Sequence, residues 1–196
     1  MLLIDISKYK NKGDLPMKTK EYYEKYVATV PHFPIEGIMF KDITPTLENA
    51  EAFQNVTNDL AEIASQYEFD KVICAESRGF MFGSALAYKM KKGMVVARKP
   101  GKLPRPGASY SYELEYGKNT MVIPQDSVKP GEKFLVLDDL LATGGSATAM
   151  IKMVQHEGGI PVLALFYIGL PELHGDEMLK KAANIDVRTL IDFEGV

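Results

Sequence analysis

Residues 134–149 read FLVLDDLLATGGSATA, and this stretch decides the fold class. It opens with an apolar run at 134–137 that no polar residue interrupts, which is typical of a strand buried on both faces of a parallel sheet. The acids Asp138 and Asp139 follow, and a turn with two glycines then leads into a helical pattern that starts near Ser146. A buried strand, a glycine turn and a helix in this order predict an α/β architecture.

The same alternation of apolar runs and helical patterns extends along the chain. Four further runs predict strands, at 71–75, 94–98, 160–170 and 187–193. Helical patterns begin at residue 48, where apolar residues recur every three or four positions, and after a glycine turn at 76–79. We therefore expect an open, mostly parallel, twisted sheet flanked by helices.

Two segments lie outside this alternation. Residues 1–19 show little periodicity, so we expect an N-terminal extension there and a single domain over residues 20–196. Further along, the basic loop KPGKLPRPG precedes YSYELEY and NTMVIP, which predict two strands of a flexible arm or hairpin.

Composition and charge narrow the function classes. Of the 196 residues, 46% are apolar and 25% charged, and the formal net charge is -3. This charge offers no basic field for nucleic acid, so a small anionic ligand needs a local basic site. No window approaches the ~18 to 20 apolar residues that span a bilayer, and the first residues lack the layout of an export signal. The single cysteine, Cys74, sits in an apolar run, so we expect a buried thiol in a reducing, cytoplasmic compartment.

The glycine turn has the chemistry of a monophosphate site. Gly144 and Gly145 let the backbone bend so that several N–H groups point at one phosphate, and the start of the following helix adds partial positive charge. Thr143 and Ser146 add hydroxyl donors, whereas the Walker spacing G-x-x-x-x-G-K-[ST] is absent from the sequence. The predicted phosphate-binding residues are Ala142, Thr143, Gly144, Gly145, Ser146 and Ala147.

The two acids before the turn require a different partner. Asp138 and Asp139 would repel a phosphate at close range, but their carboxylates accept hydrogen bonds from sugar hydroxyls. The two acids and the predicted phosphate-binding turn therefore indicate, together, a site for a ribose 5-phosphate. The simpler alternative is that the acids merely end a strand and the glycines merely cap a turn.

Further motifs give the chain a family resemblance. With its apolar strand, two acids and Thr-Gly-Gly-Ser turn, the stretch 134–149 resembles the phosphoribosyltransferases of the type I fold. PHFPIEGIMFKDITPTL, ESRGFMFGSALA, RKPGKLP and YELEYG follow the order found in the adenine-using members, so the resemblance covers roughly residues 27–196. In the family the last residue of this turn is a Thr or a similar residue, and Ser146 at the same position of this chain keeps the hydroxyl group.

The resemblance implies a fold and a reaction. The fold carries a small hood from the N-terminal region and a flexible catalytic arm. The reaction transfers the phosphoribosyl group of phosphoribosyl pyrophosphate to adenine, with AMP and pyrophosphate as products. The resemblance also implies Mg²⁺ held mainly by substrate oxygens, with no protein metal ligands, and a homodimer that shares basic loops between subunits.

Two basic motifs hold the pyrophosphate in such a site. The resemblance assigns this role to Glu76, Ser77, Arg78, Gly79, Arg98, Lys99 and Lys102. Backbone N–H groups of the ESRG turn and the cationic side chains surround the leaving group. The family often has a cis peptide in this turn, expected here between Glu76 and Ser77. A surface salt bridge at Arg78 and a merely solvated loop at 98–102 are the alternatives.

The YELEYG motif supplies an acid–base group. By resemblance, Glu115 handles the imidazole-edge proton of adenine, and Tyr116 helps to close the arm over the sugar. Glu113 is a rival, because strand alternation puts both carboxylates on one face. An exposed pair of acids without a catalytic role is the simpler alternative.

The base is expected to lie against the segment GIMFKDIT. Phe40 can stack on a purine, and backbone groups of Met39 and Lys41 can read its amino edge. Phe40 as an ordinary core residue is the alternative. Many family members carry Arg at position 41, which leaves the side-chain role of Lys41 open.

Two other functions are compatible with this fold. One alternative is a transferase that uses hypoxanthine, guanine or xanthine. These bases carry a carbonyl, which needs a hydrogen-bond donor, at the position where adenine carries an amine, which needs an acceptor. Such an enzyme would therefore differ from an adenine enzyme in the residues at this edge of the base. A ligand-sensing regulator without catalysis would need a nucleic-acid-binding surface, which a chain of net charge -3 without an added helix-turn-helix does not show. We expect the adenine reaction, a step of purine salvage.

Overall fold

The computed structural model describes residues 17–114 and 117–195 of the chain. The helices are α1 (Lys20–Glu24), α2 (Thr44–Glu48), α3 (Ala50–Ala64), α4 (Arg78–Met90), α5 (Gly145–His156), a short 3-10 helix (Pro171–Leu173) and α6 (Gly175–Ala182). The strands are β1 (Ala28–Pro31), β2 (Met39–Asp42), β3 (Lys71–Ala75), β4 (Gly93–Ala97), β5 (Pro106–Leu114), β6 (Gly117–Pro124), β7 (Lys133–Leu141), β8 (Ile160–Gly169) and β9 (Asp186–Asp192).

A five-stranded parallel sheet forms the centre, in the strand order β4-β3-β7-β8-β9. The apolar runs form its strands, and the three inner strands β3, β7 and β8 are buried on both faces, which confirms the predicted open α/β sheet. Strand β7 differs from its prediction in one respect. It continues through the two acids to Leu141, because β8 is ten residues long and pairs with β7 as far as Gly169. The acids therefore lie in the last part of the strand and not in the loop after it.

Alternate residues of the sheet face two separate cores, since successive side chains of a strand point to opposite faces. Val72 of β3 packs into the core that Leu60 of α3 also enters. The next residue, Ile73, packs into the opposite core with Met150 of α5. Both faces of the sheet are closed by helices, so the ends of the strands are left for ligands.

Two antiparallel hairpins lie outside the central sheet. Strands β1 and β2 form one of them, which corresponds to the predicted hood. Strands β5 and β6 form the other, the predicted arm, in which Tyr112 lies opposite Asn119. The arm runs beside the edge of the sheet, where Arg98 and Val122 form an isolated bridge.

A capping residue marks the start of the helix that the pattern from residue 48 predicts, and the short helix α2 before it was not predicted. Asn49 ends α2 and caps α3, where its Oδ1 accepts a hydrogen bond from the Ala52 amide at 2.9 Å. A cap of this kind contributes about 1 kcal/mol. Sequence analysis predicted neither the 3-10 helix nor α6, a short helix of eight residues, GDEMLKKA.

The first described residues contact the body of the protein. The Lys18 amide donates to Asp59 Oδ2 at 2.8 Å, and the same carboxylate accepts a hydrogen bond from the Tyr23 hydroxyl. Residues 1–16 of the predicted extension lie outside the described residues, so the division at residues 19 and 20 stays a prediction. Within the described ranges, no helix has both the length and the apolar character needed to cross a membrane.

Candidate active site

Two adjoining cavities lie at the carboxyl ends of the central strands, where an open α/β sheet places its ligands. The first, which we call the loop cavity, has a volume of about 150 Å³ and is lined by Tyr112, Asn119, Asp138, residues 140–147 and Phe166. The second, the hood cavity, has a volume of about 390 Å³ and is lined by residues 37–41, Arg78, Leu140, Ala142, Leu170 and Leu173. Leu140 and Ala142 line both cavities, which are therefore direct neighbours.

The loop cavity contains all six residues predicted to bind phosphate. Gly144 has a φ of 82°, and a Cβ built on it would lie 2.9 Å from the Gly175 carbonyl oxygen. Conformation and space therefore both require glycine at this position. Helix α5 begins at the next residue, so the free N–H groups of its first turn lie at the turn that lines the cavity. This arrangement suits an anion of the size of a phosphate.

The two acids have different surroundings. Asp138 lines the loop cavity, and its Oδ1 accepts a hydrogen bond from the Asp139 amide at 3.0 Å. Asp139 is only 4% exposed, and its Oδ2 lies 2.9 Å from Arg78 Nε, an ion-pair distance without the alignment of a hydrogen bond. Both residues were predicted to face ribose hydroxyls, and the structure brings Asp138 to the cavity and Asp139 to Arg78.

Burial sets the protonation of this acid pair. It raises the pKa of Asp138 well above its usual range, and repulsion from the Asp139 carboxylate adds to the rise. Burial also raises the pKa of Asp139, but the Arg78 guanidinium opposes that rise. When the pair holds one proton, we therefore assign the negative charge to Asp139 and the proton to Asp138.

Arg78 connects the acid pair to the hood. Its guanidinium carbon lies 4.8 Å from the centre of the Phe40 ring, and its NH1 donates to the Lys41 carbonyl oxygen at 3.4 Å. The cation is thus held over an aromatic face, which is a favourable arrangement. Phe33 packs edge-on against the same Phe40 ring, with the centroids 5.0 Å apart.

The predicted pyrophosphate residues form a second ionic cluster. Arg98 Nε donates to Glu76 Oε2 at 2.6 Å, and the Lys99 amide donates to Glu76 Oε1 at 3.1 Å. Burial acts to raise the pKa of Glu76, but these hydrogen bonds and the charge of Arg98 outweigh it, so the pKa is lowered. Arg98 NH1 also donates to the Lys102 carbonyl at 3.1 Å. Glu76 therefore anchors the basic loop to the ESRG turn.

The remaining pyrophosphate candidates lie beside this cluster. The peptide bond between Glu76 and Ser77 is cis, as predicted. Ser77 is exposed, and so are Lys99 and Lys102, whereas Gly79 is buried. A Cβ built on Gly79 would lie 2.5 Å from Asp138 Oδ1, so this glycine lets the start of α4 approach the acid pair.

The hood cavity has a mostly apolar lining, which fits a flat heterocycle. The predicted base-binding residues Met39, Phe40 and Lys41 all line it. The side chain of Lys41 is only 6% exposed, and its Nζ donates to Thr29 Oγ1 at 3.1 Å. The same ammonium lies 4.6 Å from the centre of the Phe193 ring. The Lys41 side chain thus connects the hood to the C-terminal segment.

Some functional candidates lie elsewhere or were missed. Glu115 and Tyr116 lie outside the described residues, so their catalytic and arm-closing roles stay predictions. Sequence reasoning did not select Tyr112, Leu170 or Leu173 as site residues, although all three line a cavity. Leu170 directly follows β8, so the rule that ligands bind beyond the strand ends was a usable signal for it.

Comparisons with known proteins agree with this geometry. The model of the phosphoribosyl transferase domain family matches residues 45–162. The adenine phosphoribosyltransferase of Rubrobacter xylanophilus is 44% identical over 176 residues, which are 90% of this chain and 94% of that protein. The crystal structure of adenine phosphoribosyltransferase from Thermoanaerobacter pseudethanolicus matches with a TM-score of 0.85 and 42% identity, covering 89% of this chain and 100% of that chain.

A third relative has a structure with bound ligands. Adenine phosphoribosyltransferase from Saccharomyces cerevisiae, crystallised with adenine and an imino-altritol bisphosphate, matches with a TM-score of 0.79 and 32% identity over 87% of this chain and 97% of that chain. The sequence motifs, the parallel sheet and these matches lead to one conclusion. The chain belongs to the adenine phosphoribosyltransferase family.

Proposed function

We propose that the chain transfers the phosphoribosyl group of phosphoribosyl pyrophosphate to adenine, with AMP and pyrophosphate as products, in purine salvage. The observation that carries the proposal is the junction of the two cavities at Leu140 and Ala142. An anion-binding turn on one side and an apolar slot on the other fit the two ends of AMP. The yeast relative was crystallised with adenine and with an imino-altritol bisphosphate, a base and a phosphate ligand of the two kinds that this division assigns to the two cavities.

The loop cavity is assigned to the 5-phosphate and the ribose. The N–H groups at the start of α5 and the hydroxyls of Thr143 and Ser146 are the donors that a phosphate requires. Asp138 is the acid that lines this cavity, so it is the first candidate to accept a hydrogen bond from a ribose hydroxyl. Asp139 is the second candidate for the ribose, and its carboxylate also holds Arg78 in position.

The leaving pyrophosphate is assigned to the ESRG turn and the basic loop. Arg98 is already held by Glu76, whereas the exposed side chains of Lys99 and Lys102 are available to approach the leaving group. Cations in these positions stabilise the negative charge that develops as the bond to the sugar breaks. The open position of the basic loop suits a group that must leave after each turnover.

Mg²⁺ fits this site as a substrate-borne ion. Within residues 17–114 and 117–195, no group of three or more His, Cys, Asp and Glu side chains is placed to hold a metal ion. Oxygens of the pyrophosphate would supply most of the coordination, as the resemblance implies. When bound, the ion neutralises negative charge on the leaving group.

The arm tip is assigned the proton transfer. Glu115 takes or returns the imidazole-edge proton of adenine, with Glu113 as its rival, and Tyr116 closes the arm over the sugar. The support for these roles is the YELEYG motif and the position of the hairpin, whose strand β5 contributes Tyr112 to the loop cavity.

A homodimer in the cytoplasm is part of the proposal. Met81 and Tyr88 lie seven residues apart on one face of α4 and are 40% and 89% exposed, which leaves apolar surface on this helix for a second subunit. Cys74 is buried and unpaired with any other cysteine, as suits a reducing compartment. Analytical ultracentrifugation of the wild-type chain and of Tyr88→Glu tests the dimer, which the substitution is expected to weaken.

Release of pyrophosphate tests the function. With Mg²⁺ and phosphoribosyl pyrophosphate present, we compare adenine, hypoxanthine, guanine and xanthine at equal concentrations. Release with adenine alone is expected. Release of pyrophosphate only with an oxopurine would show that the hood cavity binds that base and not adenine. If the chain binds phosphoribosyl pyrophosphate but releases no pyrophosphate with any of the four bases, it would be a ligand-sensing regulator.

A further inference from the structure

The arm hairpin contacts the phosphate turn through one side chain. Tyr112 of β5 is half-buried, and its hydroxyl lies 3.0 Å from Ser146 Oγ, a hydrogen-bond distance at which either group can donate. Tyr112 and Asn119, which face each other across the hairpin, both line the loop cavity. The arm therefore forms one wall of the cavity that we assign to the 5-phosphate.

The ring of Tyr112 also covers the backbone of the turn. A Cβ built on Gly145 would lie 2.8 Å from Tyr112 Cδ2 and 2.9 Å from its Cε2. Real Cβ atoms do not come this close to a ring carbon, so the glycine is what permits the aromatic ring to lie on the turn. The hydroxyl contact at Ser146 and the ring contact at Gly145 fix Tyr112 to two consecutive residues.

A bound phosphate determines which of the two hydroxyls, Tyr112 or Ser146, donates the hydrogen bond between them. An ionised phosphate oxygen only accepts hydrogen bonds, so Ser146 has to donate its single proton to the ligand. Ser146 Oγ then keeps lone pairs that accept, and the Tyr112 hydroxyl becomes the donor of the pair. The interaction of Tyr112 thus strengthens the donor that meets the phosphate, as expected for hydrogen bonds in series.

The identity of residue 146 makes this contact important. A serine side chain has three accessible rotamers, whereas a β-branched threonine is more restricted in χ1. Ser146 therefore needs an outside contact to hold its hydroxyl towards the cavity, and the Tyr112 hydroxyl is such a contact at 3.0 Å.

We propose that Tyr112 is a positioning residue for the 5-phosphate, which acts by fixing the Ser146 hydroxyl and by coupling phosphate binding to the position of the arm. This inference rests on the proposed function for the identity of the anion. It adds a residue outside the phosphate turn to the phosphate site. It also gives phosphoribosyl pyrophosphate a way to influence the hairpin whose tip carries residue 115, before adenine binds.

Calorimetric binding of ribose 5-phosphate to four variants tests the proposal. Tyr112→Phe, which removes only the hydroxyl, is expected to weaken binding about five- to tenfold, the usual effect of one lost hydrogen bond near a charged ligand. In a Ser146→Thr background the same substitution is expected to cost less than about twofold, because the branched side chain restricts its own rotamer. Tyr110→Phe, two residues earlier on the same strand face, is the matched control and should leave binding unchanged.

Two further readouts separate positioning from mere stabilisation. Adenine affinity and the thermal midpoint should be the same in Tyr112→Phe and in the Tyr110→Phe control. In steady-state kinetics, Tyr112→Phe should raise KM for phosphoribosyl pyrophosphate more than it lowers kcat. Equal ribose 5-phosphate affinity in wild type and Tyr112→Phe would overturn the proposal, and so would an equal loss in the Ser146→Thr background. Because ribose 5-phosphate binding needs no turnover, a wild-type chain that binds it but releases no pyrophosphate would refute the proposed function alone.

Discussion

Arg78 Nε lies 2.9 Å from Asp139 Oδ2, and this pair links the strand that carries the two acids to the helix that begins at Arg78. Asp139 is buried in the strand that leads to the phosphate turn, whereas Arg78 belongs to the ESRG turn, begins α4 and lies over Phe40 of the hood. The position of the cation therefore depends on three elements at once. A substrate that moves Arg78 towards its phosphates would therefore change the contacts of Arg78 with both Asp139 and Phe40.

Removal of Arg78 should destabilise the protein more than removal of the whole pair. Arg78→Gln leaves a buried carboxylate without its counter-charge, and we expect a loss of about 1–3 kcal/mol of unfolding free energy, reduced from the fully buried case because Arg78 is partly exposed. The double variant Arg78→Gln with Asp139→Asn removes both charges and should lose less. Urea denaturation of both variants measures the difference, and equal losses would show that the pair is not coupled.

Stability should respond to pH through Asp138. Since its pKa is raised in the folded protein, its favourable contribution is present below the unfolded value of about 3.9 and is lost as the pH rises through the folded pKa. Asp138→Asn removes this titration and should be more stable than wild type at pH 8, with the advantage shrinking towards pH 4. The exposed Glu62→Gln is the control for urea denaturation across this range. A difference between Asp138→Asn and wild type that stays constant with pH would refute the raised pKa.

The phosphate turn should reject a side chain at Gly144. Gly144→Ala places a Cβ against the Gly175 carbonyl in a left-handed conformation, so we expect a loss of about 1–3 kcal/mol and much weaker ribose 5-phosphate binding. Gly131→Ala is the matched control, because Gly131 has a φ of 84° but nothing lies within 4 Å of its Cβ position. The control shares the backbone strain, so calorimetry should show a binding loss only for Gly144→Ala.

The C-terminal segment should influence adenine binding. The half-buried Phe193 ring lies under the buried Lys41 ammonium, and a contact of this kind is worth about 1–2 kcal/mol. Phe193→Leu should therefore loosen the hood strand and raise KM for adenine, with KM for phosphoribosyl pyrophosphate unchanged. Phe193→Tyr keeps an aromatic face and should behave as wild type. If both variants have the same KM for adenine, Lys41 does not depend on this ring.

A substitution at the tip of the arm should lower turnover without weakening substrate binding. Glu115→Gln removes a proton acceptor but keeps the size of the side chain, so we expect kcat to fall while affinity for phosphoribosyl pyrophosphate stays near normal. Glu113→Gln is the matched comparison on the same strand. Stopped assays of AMP formation measure both, and a larger fall in Glu113→Gln would transfer the role to that residue.

Most of the fold could be predicted from the sequence, because the patterns that predict its strands and turns involve residues close together along the chain. Unbroken apolar runs predicted the buried parallel strands, and the glycine pair with its following helical pattern predicted the phosphate turn. Both features depend on residues that are neighbours along the chain, for which periodicity and backbone conformation are reliable guides. The same is true of the arm, where alternation in YSYELEY indicated a strand.

The pairings within the site could not be predicted in this way. Arg78 with Asp139, Lys41 with Phe193 and Tyr112 with Ser146 join residues far apart in the sequence, and nothing in their local patterns fixes these partners. Motif reasoning assigned both acids to the sugar because they followed an apolar run, but it could not predict that Asp139 lies within β7 beside Arg78, and its role at the ribose stays a prediction. Tyr112 was passed over because an alternating strand has two faces, and only the packing against α5 decides which one meets the turn.

The formation of AMP tests the central claim most directly. Purified chain is incubated with Mg²⁺, phosphoribosyl pyrophosphate and adenine, and the nucleotide and pyrophosphate are quantified by chromatography. We predict AMP and pyrophosphate in equal amounts, with no product when adenine is replaced by hypoxanthine. A protein that binds both substrates yet forms no AMP, or that forms an oxopurine nucleotide in its place, would contradict the account.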